Sequence, residues 1–338
     1  MEKNRPTISV CICTYNQDAF LERAIRSVLE QTSTPFEIIV SDDCSTDSTS
    51  VILDNLSEEI PYLKVLRHPC NLGIAKNVDA CLRLASGEFI VRLDSDDYLK
   101  PGYIEQLAKA LSKHPNAGYA HAAVQEVNEN GSNMKERKLF RQAGFQSDIE
   151  ALKEAPKGYK VAANIIMFRK SALNRVNYLS GRPNFGEDYH LATAISAAGY
   201  GNIYISETLA CYRVWTDQQK LRTRRKRSEI EGLRRVFDEV IEPAYNARNW
   251  TQQILVKRKS QLACSHANCL GWDVYGIEEK RLLVDELRKL SPAIRVRLFS
   301  WLYLNGYGGA LDYYNEMKGT VKNMLKSFML PGLLRLRM

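Results

Sequence analysis

The chain has 338 residues, 45% of them hydrophobic and 25% charged, enough for a substantial core and for two domains rather than one. No apolar run approaches the roughly 20 residues of a membrane-spanning helix, and the N-terminal Met1-Glu-Lys-Asn-Arg-Pro6 has no signal-peptide apolar region, so a cytoplasmic location is expected. The net charge of +8 is densest in Lys220-Leu-Arg-Thr-Arg-Arg-Lys-Arg227, which has no interleaved aromatics and matches no nucleic-acid motif, so a solvated helix start or an anionic membrane surface suits it better than nucleic acid.

β-Branching and apolar continuity predict a first strand over 7–14. Tyr15-Asn16-Gln17 form a loop, and Asp18 is placed to cap a helix running to about Gln31, with Ala24, Ile25, Val28 and Leu29 as its buried stripe. A second strand follows Pro35 over 36–41, then a helix capped by Asp47 or Ser48, then a strand near 63–67. Asn71-Leu-Gly73 opens a helix closed by Ser86-Gly87, and the strand Phe89–Leu93 comes next. Pro101-Gly102 begins a helix that ends before Pro115. This alternation predicts an α/β fold with a largely parallel sheet covered on both faces.

Farther along, the polar stretch 128–158 is expected to loop over the sheet edge, Val161–Phe168 to form a strand, and Ser171 to cap a short helix. Gly186-Glu187-Asp188 begins a helix closed by Gly199, and two short strands near 203–205 and 208–214 complete the domain. Beyond the basic run the pattern changes to amphipathic helices, which places a boundary near 220: a catalytic domain over 1–220 and a helical domain over 221–338. The eight cysteines lack paired zinc-ligand spacing and read as reduced core thiols, with Cys11 and Cys13 on one strand face.

Two strands end in acids. Phe89-Ile-Val-Arg-Leu runs into Asp94-Ser-Asp96-Asp97, and Phe36-Glu-Ile-Ile-Val-Ser runs into Asp42-Asp43. Sheets of this class bind ligands beyond the carboxyl ends of their strands. Clustered carboxylates persist where a cation or hydrogen-bond donors neutralise them, and a divalent metal carrying a phosphate does so. Asp94 and Asp96 can share such a cation, for which oxygen ligands indicate Mg²⁺ or Mn²⁺, although Asp is also common in solvated turns. Asp43 can accept the N3–H of uracil or thymine, while the following Cys-Ser-Thr-Asp-Ser-Thr also suits a turn and helix cap. Glu187-Asp188 is favoured at a helix start by the macrodipole and is equally suited to take a proton from an attacking sugar hydroxyl. Lys76 is placed to reach a diphosphate oxygen, although an exposed lysine is the commoner case, and His190 reads as a packing or surface residue. No dinucleotide fingerprint, Walker loop or nucleophile elbow is present in the sequence.

In order, Thr14-Tyr15-Asn16, Ser27-Val-Leu-Glu-Gln31, Val40-Ser-Asp42-Asp43-Cys-Ser-Thr-Asp47, Asn71-Leu-Gly73, Ala75-Lys76-Asn77, Ser86-Gly87-Glu88, Leu93-Asp94-Ser-Asp96-Asp97, Met167–Leu173, Gly186-Glu187-Asp188 and Tyr212-Arg213 resemble the family 2 glycosyltransferases of the GT-A fold, over about residues 6–215. The resemblance implies inverting transfer of a sugar from a nucleotide diphosphate donor to an acceptor hydroxyl. It implies that Asp96 contacts the divalent metal, Asp94 the ribose or metal shell, and Asp43 a pyrimidine base. Thr14 and Tyr15 would border the nucleotide, Asp188 would be the base, and Glu187 would orient the acceptor. Three departures stand out. Lys76 replaces an arginine common in relatives, Trp215 replaces a histidine that sometimes binds metal, and Ala194 stands where an arginine is frequent.

The expected partners are a UDP- or dTDP-linked sugar and a glycan or lipid-linked glycan acceptor of surface-polysaccharide assembly. Apolar residues mixed with basic ones in Arg295–Leu304 and Leu325–Met338 predict peripheral contact with the cytoplasmic face of the inner membrane, although packing within a helical domain explains them equally. Two other readings stay open at this stage: a nucleotidyltransferase, which would release pyrophosphate, and a nucleotide-sugar-binding module without turnover.

Overall fold

The computed structural model describes residues 6–183, 185–215, 221–309, 311 and 313; the Leu325–Met338 segment therefore lies outside the described residues. By their contacts they form two compact units, one made of the residues before 220 with Glu231–Leu255, the other of those from 221 to Ile230 and from Val256 onward. Ten strands make one sheet in the first unit: β1 Ile8–Thr14, β2 Glu37–Asp42, β3 Leu63–Arg67, β4 Phe89–Asp94, β5 Tyr98–Leu99, β6 Ala117–Val127, β7 Asn133–Arg137, β8 Gly144–Gln146, β9 Ile166–Arg169 and β10 Gly201–Arg213. Their order is β3-β2-β1-β4-β9-β6-β10-β5, with β7 on β6 and β8 on β10.

The sheet is mixed. β3, β2, β1 and β4 run parallel, as the strand–helix alternation predicts, and β9 enters antiparallel to both β4 and β6. Helices α1 Asp18–Leu29, α2 Thr49–Glu59 and α4 Tyr103–Lys113 pack on one face, against Val10, Ile12, Val40, Val91 and Leu93. Helices α3 Ile74–Leu84, α6 Lys170–Arg175 and α7 Glu187–Ala197 cover the other face, against Cys11, Ile39 and Ile90. Alternate strand residues point to opposite faces, so Ile90, Arg92 and Asp94 of β4 share the face that α7 covers.

Several local expectations need correction. The stretch 128–158 is not simply looped: it holds β7, β8 and the capped helix α5 Asp148–Glu154. The first four residues of β7 are all exposed, so no apolar alternation announced it. The two short strands expected near 203–214 are one strand, β10, interrupted by bulges on either side of Thr208 that put Ser206 and Glu207 in solvent. Asp18 lies in the first turn of α1 rather than at its cap, and Ser171 lies inside α6. Ser48 is the N-cap of α2 but makes no side-chain cap bond; Asp47, one residue earlier, accepts from Thr49 N at 3.0 Å through Oδ1 and from Asp18 N at 3.0 Å through Oδ2. All eight cysteines are free thiols.

In the second unit the helices Ile277–Leu290 and Ile294–Leu304 bury Leu283, Leu287, Leu290, Val296 and Tyr303 together with Ala263, Ala267 and Leu270. Among the described residues no helix is long and apolar enough to cross a membrane.

Candidate active site

The site is built at the carboxyl ends of β1, β2 and β4, where register places Thr14 beside Asp42 and Cys13 beside Asp94. On the β2 side the chain turns sharply after Asp43, with Cys44 in the left-handed region at φ 63°. The buried Asp43 carboxylate accepts Leu72 N at 2.7 Å through Oδ1 and Gly73 N at 2.9 Å through Oδ2, so the loop opening α3 fastens it. Each oxygen keeps a lone pair for a ligand donor. Asp43 N donates to Thr14 O at 3.0 Å, which brings these two predicted residues together. Thr14 Oγ1 is buried without a partner. Tyr15 is 46% exposed, and Lys76 is exposed on the first turn of α3.

The β4 side ends in a turn closed by Asp97 N donating to Asp94 O at 3.1 Å. Asp97 faces inward: its Oδ1 accepts Arg213 N at 2.8 Å, and burial, followed by the Asp96 and Asp94 charges, pushes its carboxyl well above the usual range. Arg213 Nε donates to Asp96 O at 3.0 Å, which pins the end of β10 to this turn. The indole of Trp215 donates to Asp96 Oδ2 at 2.6 Å, and its ring meets Phe20 edge-on with centroids 5.3 Å apart. Burial raises the Asp96 carboxyl, and the indole partly opposes that shift. Trp215 thus serves as a hydrogen-bond donor to Asp96.

The α7 side carries Glu187 and Asp188, both buried, in the first turn after Gly186, whose φ of 72° suits a residue without a Cβ. Arg92 of β4, 2% exposed, meets them. Its Nη1 donates to Asp188 Oδ1, its Nε lies 3.3 Å from Asp94 Oδ1, and its Nη2 lies 3.8 Å from Glu187 Oε1. Burial opposes the guanidinium charge, but the Asp188, Asp94 and Glu187 carboxylates outweigh it and raise the Arg92 pKa well above its ordinary value. Burial and then the Asp188 charge push Glu187 up to about 8. Burial also raises Asp188, against the pull of Arg92. Arg92 was not among the residues singled out from sequence, although a lone arginine in an otherwise apolar central strand is the signal that would have found it. His190 is a packing residue: Arg182 meets its Nδ1, Glu239 lies 3.0 Å from its Nε2, and burial, with Arg182, lowers its pKa to about 4.

Oxygen donors at Asp94 and Asp96 suit a hard divalent cation, and Asp97 Oδ2 is a buried carboxylate oxygen without a partner. Among the described residues no three His, Cys, Asp or Glu side chains converge on one metal position. A cation here would therefore be completed by ligand phosphates and water.

Residues 9–176, which hold the strand-end acids, match the protein-family model Glycosyl transferase family 2. The chain belongs to that family. An uncharacterized glycosyltransferase of Haemophilus influenzae is 29% identical over 64% of this chain and 68% of its own length. The GalNAc(5)-diNAcBac-PP-undecaprenol beta-1,3-glucosyltransferase of Campylobacter jejuni is 30% identical over 62% of this chain and 65% of its own. Other curated relatives are matched over as little as 13% of their length. Among solved structures, S. aureus TarS 1–349 aligns with TM-score 0.66 at 18% identity, covering 92% of this chain and 91% of that one. The mannosyltransferase PcManGT of Pyrobaculum calidifontis, in complex with GDP-Man and Mn²⁺, aligns with TM-score 0.53 at 18% identity, covering 91% and 87%. At these identities the structural matches establish the fold, a GT-A-type mixed sheet flanked by helices with a helical C-terminal region.

Proposed function

We propose that this family 2 glycosyltransferase transfers a sugar from a UDP- or dTDP-linked donor to a hydroxyl of a glycan or lipid-linked glycan, with inversion, in polysaccharide assembly. The observation that carries the reading is the meeting of the β4 strand end with the α7 start, where Asp94, Glu187 and Asp188 surround Arg92. Asp188 takes the proton from the acceptor hydroxyl as that oxygen attacks the anomeric carbon from the face opposite the departing diphosphate. One displacement inverts the centre, and no covalent enzyme intermediate forms. Burial makes Asp188 a better proton acceptor than a solvated aspartate. Glu187 orients the acceptor, Asp43 accepts the pyrimidine N3–H, and Thr14 and Tyr15 border the nucleotide. Lys76 and Asp94 bind the diphosphate and ribose.

Asp96 would hold Mn²⁺ or Mg²⁺, which when bound offsets the charge gathering on the departing nucleoside diphosphate. Mn²⁺ in the PcManGT complex supports that choice of group, and the undecaprenol-linked acceptor in the Campylobacter relative's name supports a lipid-linked one. The helix Ile294–Leu304 exposes Ile294, Leu298 and Trp301 beside Arg295 and Arg297, which supports contact with an anionic membrane surface.

A nucleotide-sugar panel screened with Mn²⁺ by thermal shift identifies the donor, because binding to the folded state raises the melting temperature. Product analysis then decides the reaction. Nucleoside diphosphate release that falls steeply to a residual rate in Asp188→Asn, with nucleotide binding retained, is expected. Pyrophosphate release would mean attack at phosphorus, and full activity in Asp188→Asn would remove the base from the scheme.

A further inference from the structure

Arg92 calls for an explanation that packing does not provide. A buried arginine in a central strand is costly, and a buried ion pair seldom stabilises a fold more than apolar residues of the same volume. One carboxylate would balance it, yet the structure gives it Asp94 from its own strand and Glu187 with Asp188 from α7. Its Nη2 makes no hydrogen bond and is held near Glu187 by charge. The guanidinium is a rigid planar fork, so the donors directed at Asp94 and at Asp188 fix those two carboxylates relative to each other. Asp94 ends the strand proposed to meet the donor, and Asp188 begins the helix proposed to meet the acceptor. A displacement of even 1 Å between such groups can cost a hundredfold in rate.

We propose that Arg92 is a positioning residue for sugar transfer, acting through Asp188 by locking that carboxylate in register with the β4 strand end. The inference rests on Asp188 being the base. A lysine at this position would keep the charge and lose the fork, so Arg92→Lys separates geometry from electrostatics.

The test uses the full chain, Mn²⁺ and the donor found by thermal shift, with nucleoside diphosphate release as the rate. The variants are Arg92→Lys, Arg92→Met and Asp188→Asn, together with Arg92→Lys in the Asp188→Asn background. Calorimetric binding of UDP with Mn²⁺ reports whether each variant keeps a folded donor site. Arg92→Lys is expected to leave the donor KM within about threefold and to lower kcat at least tenfold, with Arg92→Met lower still. Added to Asp188→Asn, the same lysine substitution is expected to change the residual rate by less than about twofold, because a residue acting through another has nothing left to act on. An equal loss in both backgrounds would mark Arg92 as a structural tie and overturn the proposal. If Asp188→Asn lowers release steeply while Arg92→Lys matches the wild type, the proposal alone falls. If Asp188→Asn keeps the wild-type rate, the base assignment falls first and this proposal with it.

Discussion

Replacing Glu37 with glutamine tests what aligns the strands that carry the site. Glu37 opens β2 at the end of the sheet opposite the acids and is 1% exposed. Its carboxylate accepts Ser9 Oγ at 2.6 Å from β1, Lys64 Nζ at 2.6 Å from β3, and both Ser86 N at 2.7 Å and Ser86 Oγ at 2.6 Å from the turn before β4. Burial alone would raise its pKa, but these donors, Lys64 first, lower it from 4.5 to about 2. At about 1.4 kcal/mol per pH unit this drop corresponds to roughly 3 kcal/mol. The Lys64 side chain is 63% exposed, so salt screens its share and about 2 kcal/mol is expected. Because the folded-state value lies below the unfolded one, the stabilisation is complete above about pH 4.5 and is lost as pH falls toward about 2. Urea midpoints of the wild type and Glu37→Gln across that range should show a gap near 2 kcal/mol at neutral pH that closes in acid. A gap that stays constant with pH would show that the carboxylate charge does not hold these strands in place.

Gly87→Ala should destabilise the fold by about 1–3 kcal/mol in urea, because an added Cβ would lie 2.7 Å from Ser9 N and 2.8 Å from Ser9 Oγ. Wild-type stability would mean that the turn before β4 yields easily. Trp215→Phe keeps an aromatic ring against Phe20 but removes the N–H donated to Asp96, so the Mn²⁺ concentration for half-maximal activity should rise about threefold. An unchanged requirement would mean that the indole does not orient Asp96. Trp301→Asp, at a side chain 54% exposed, should abolish flotation with anionic vesicles while leaving the melting temperature within a few degrees. Equal flotation of both proteins would remove this helix as the membrane contact.

Much of the parallel half of the sheet is legible in sequence, since each apolar run from Ile8 to Leu93 precedes a segment with helical periodicity. The other half is not. Ala117–Val127 gives no strand signal, because alanine packs wherever it is enclosed and contributes little β preference of its own. Its strand, β6, exists because β9 and β10 pair on either side of it. The bulged β10 reads as two strands because Ser206 and Glu207 break the alternation. Within the site, Asp43, Asp94 and Asp96 are visible as acids at strand ends and Asp188 as an acid at a helix start. Contacts that join distant segments leave no local pattern, and the Trp215 donation to Asp96 and the Arg92 bridge to α7 are of that kind.

α7 is enclosed almost all round. Every residue from Glu187 to Thr193 is buried, Tyr189 donates its hydroxyl to Ala155 O, and His190 meets Glu239. A helix held this way tolerates few replacements, so a randomised library built on it would consist largely of chains that never fold. Anyone wishing to retune donor or acceptor choice should diversify rim positions such as Tyr15 and Lys76, whose exposed side chains can change without disturbing the scaffold beneath.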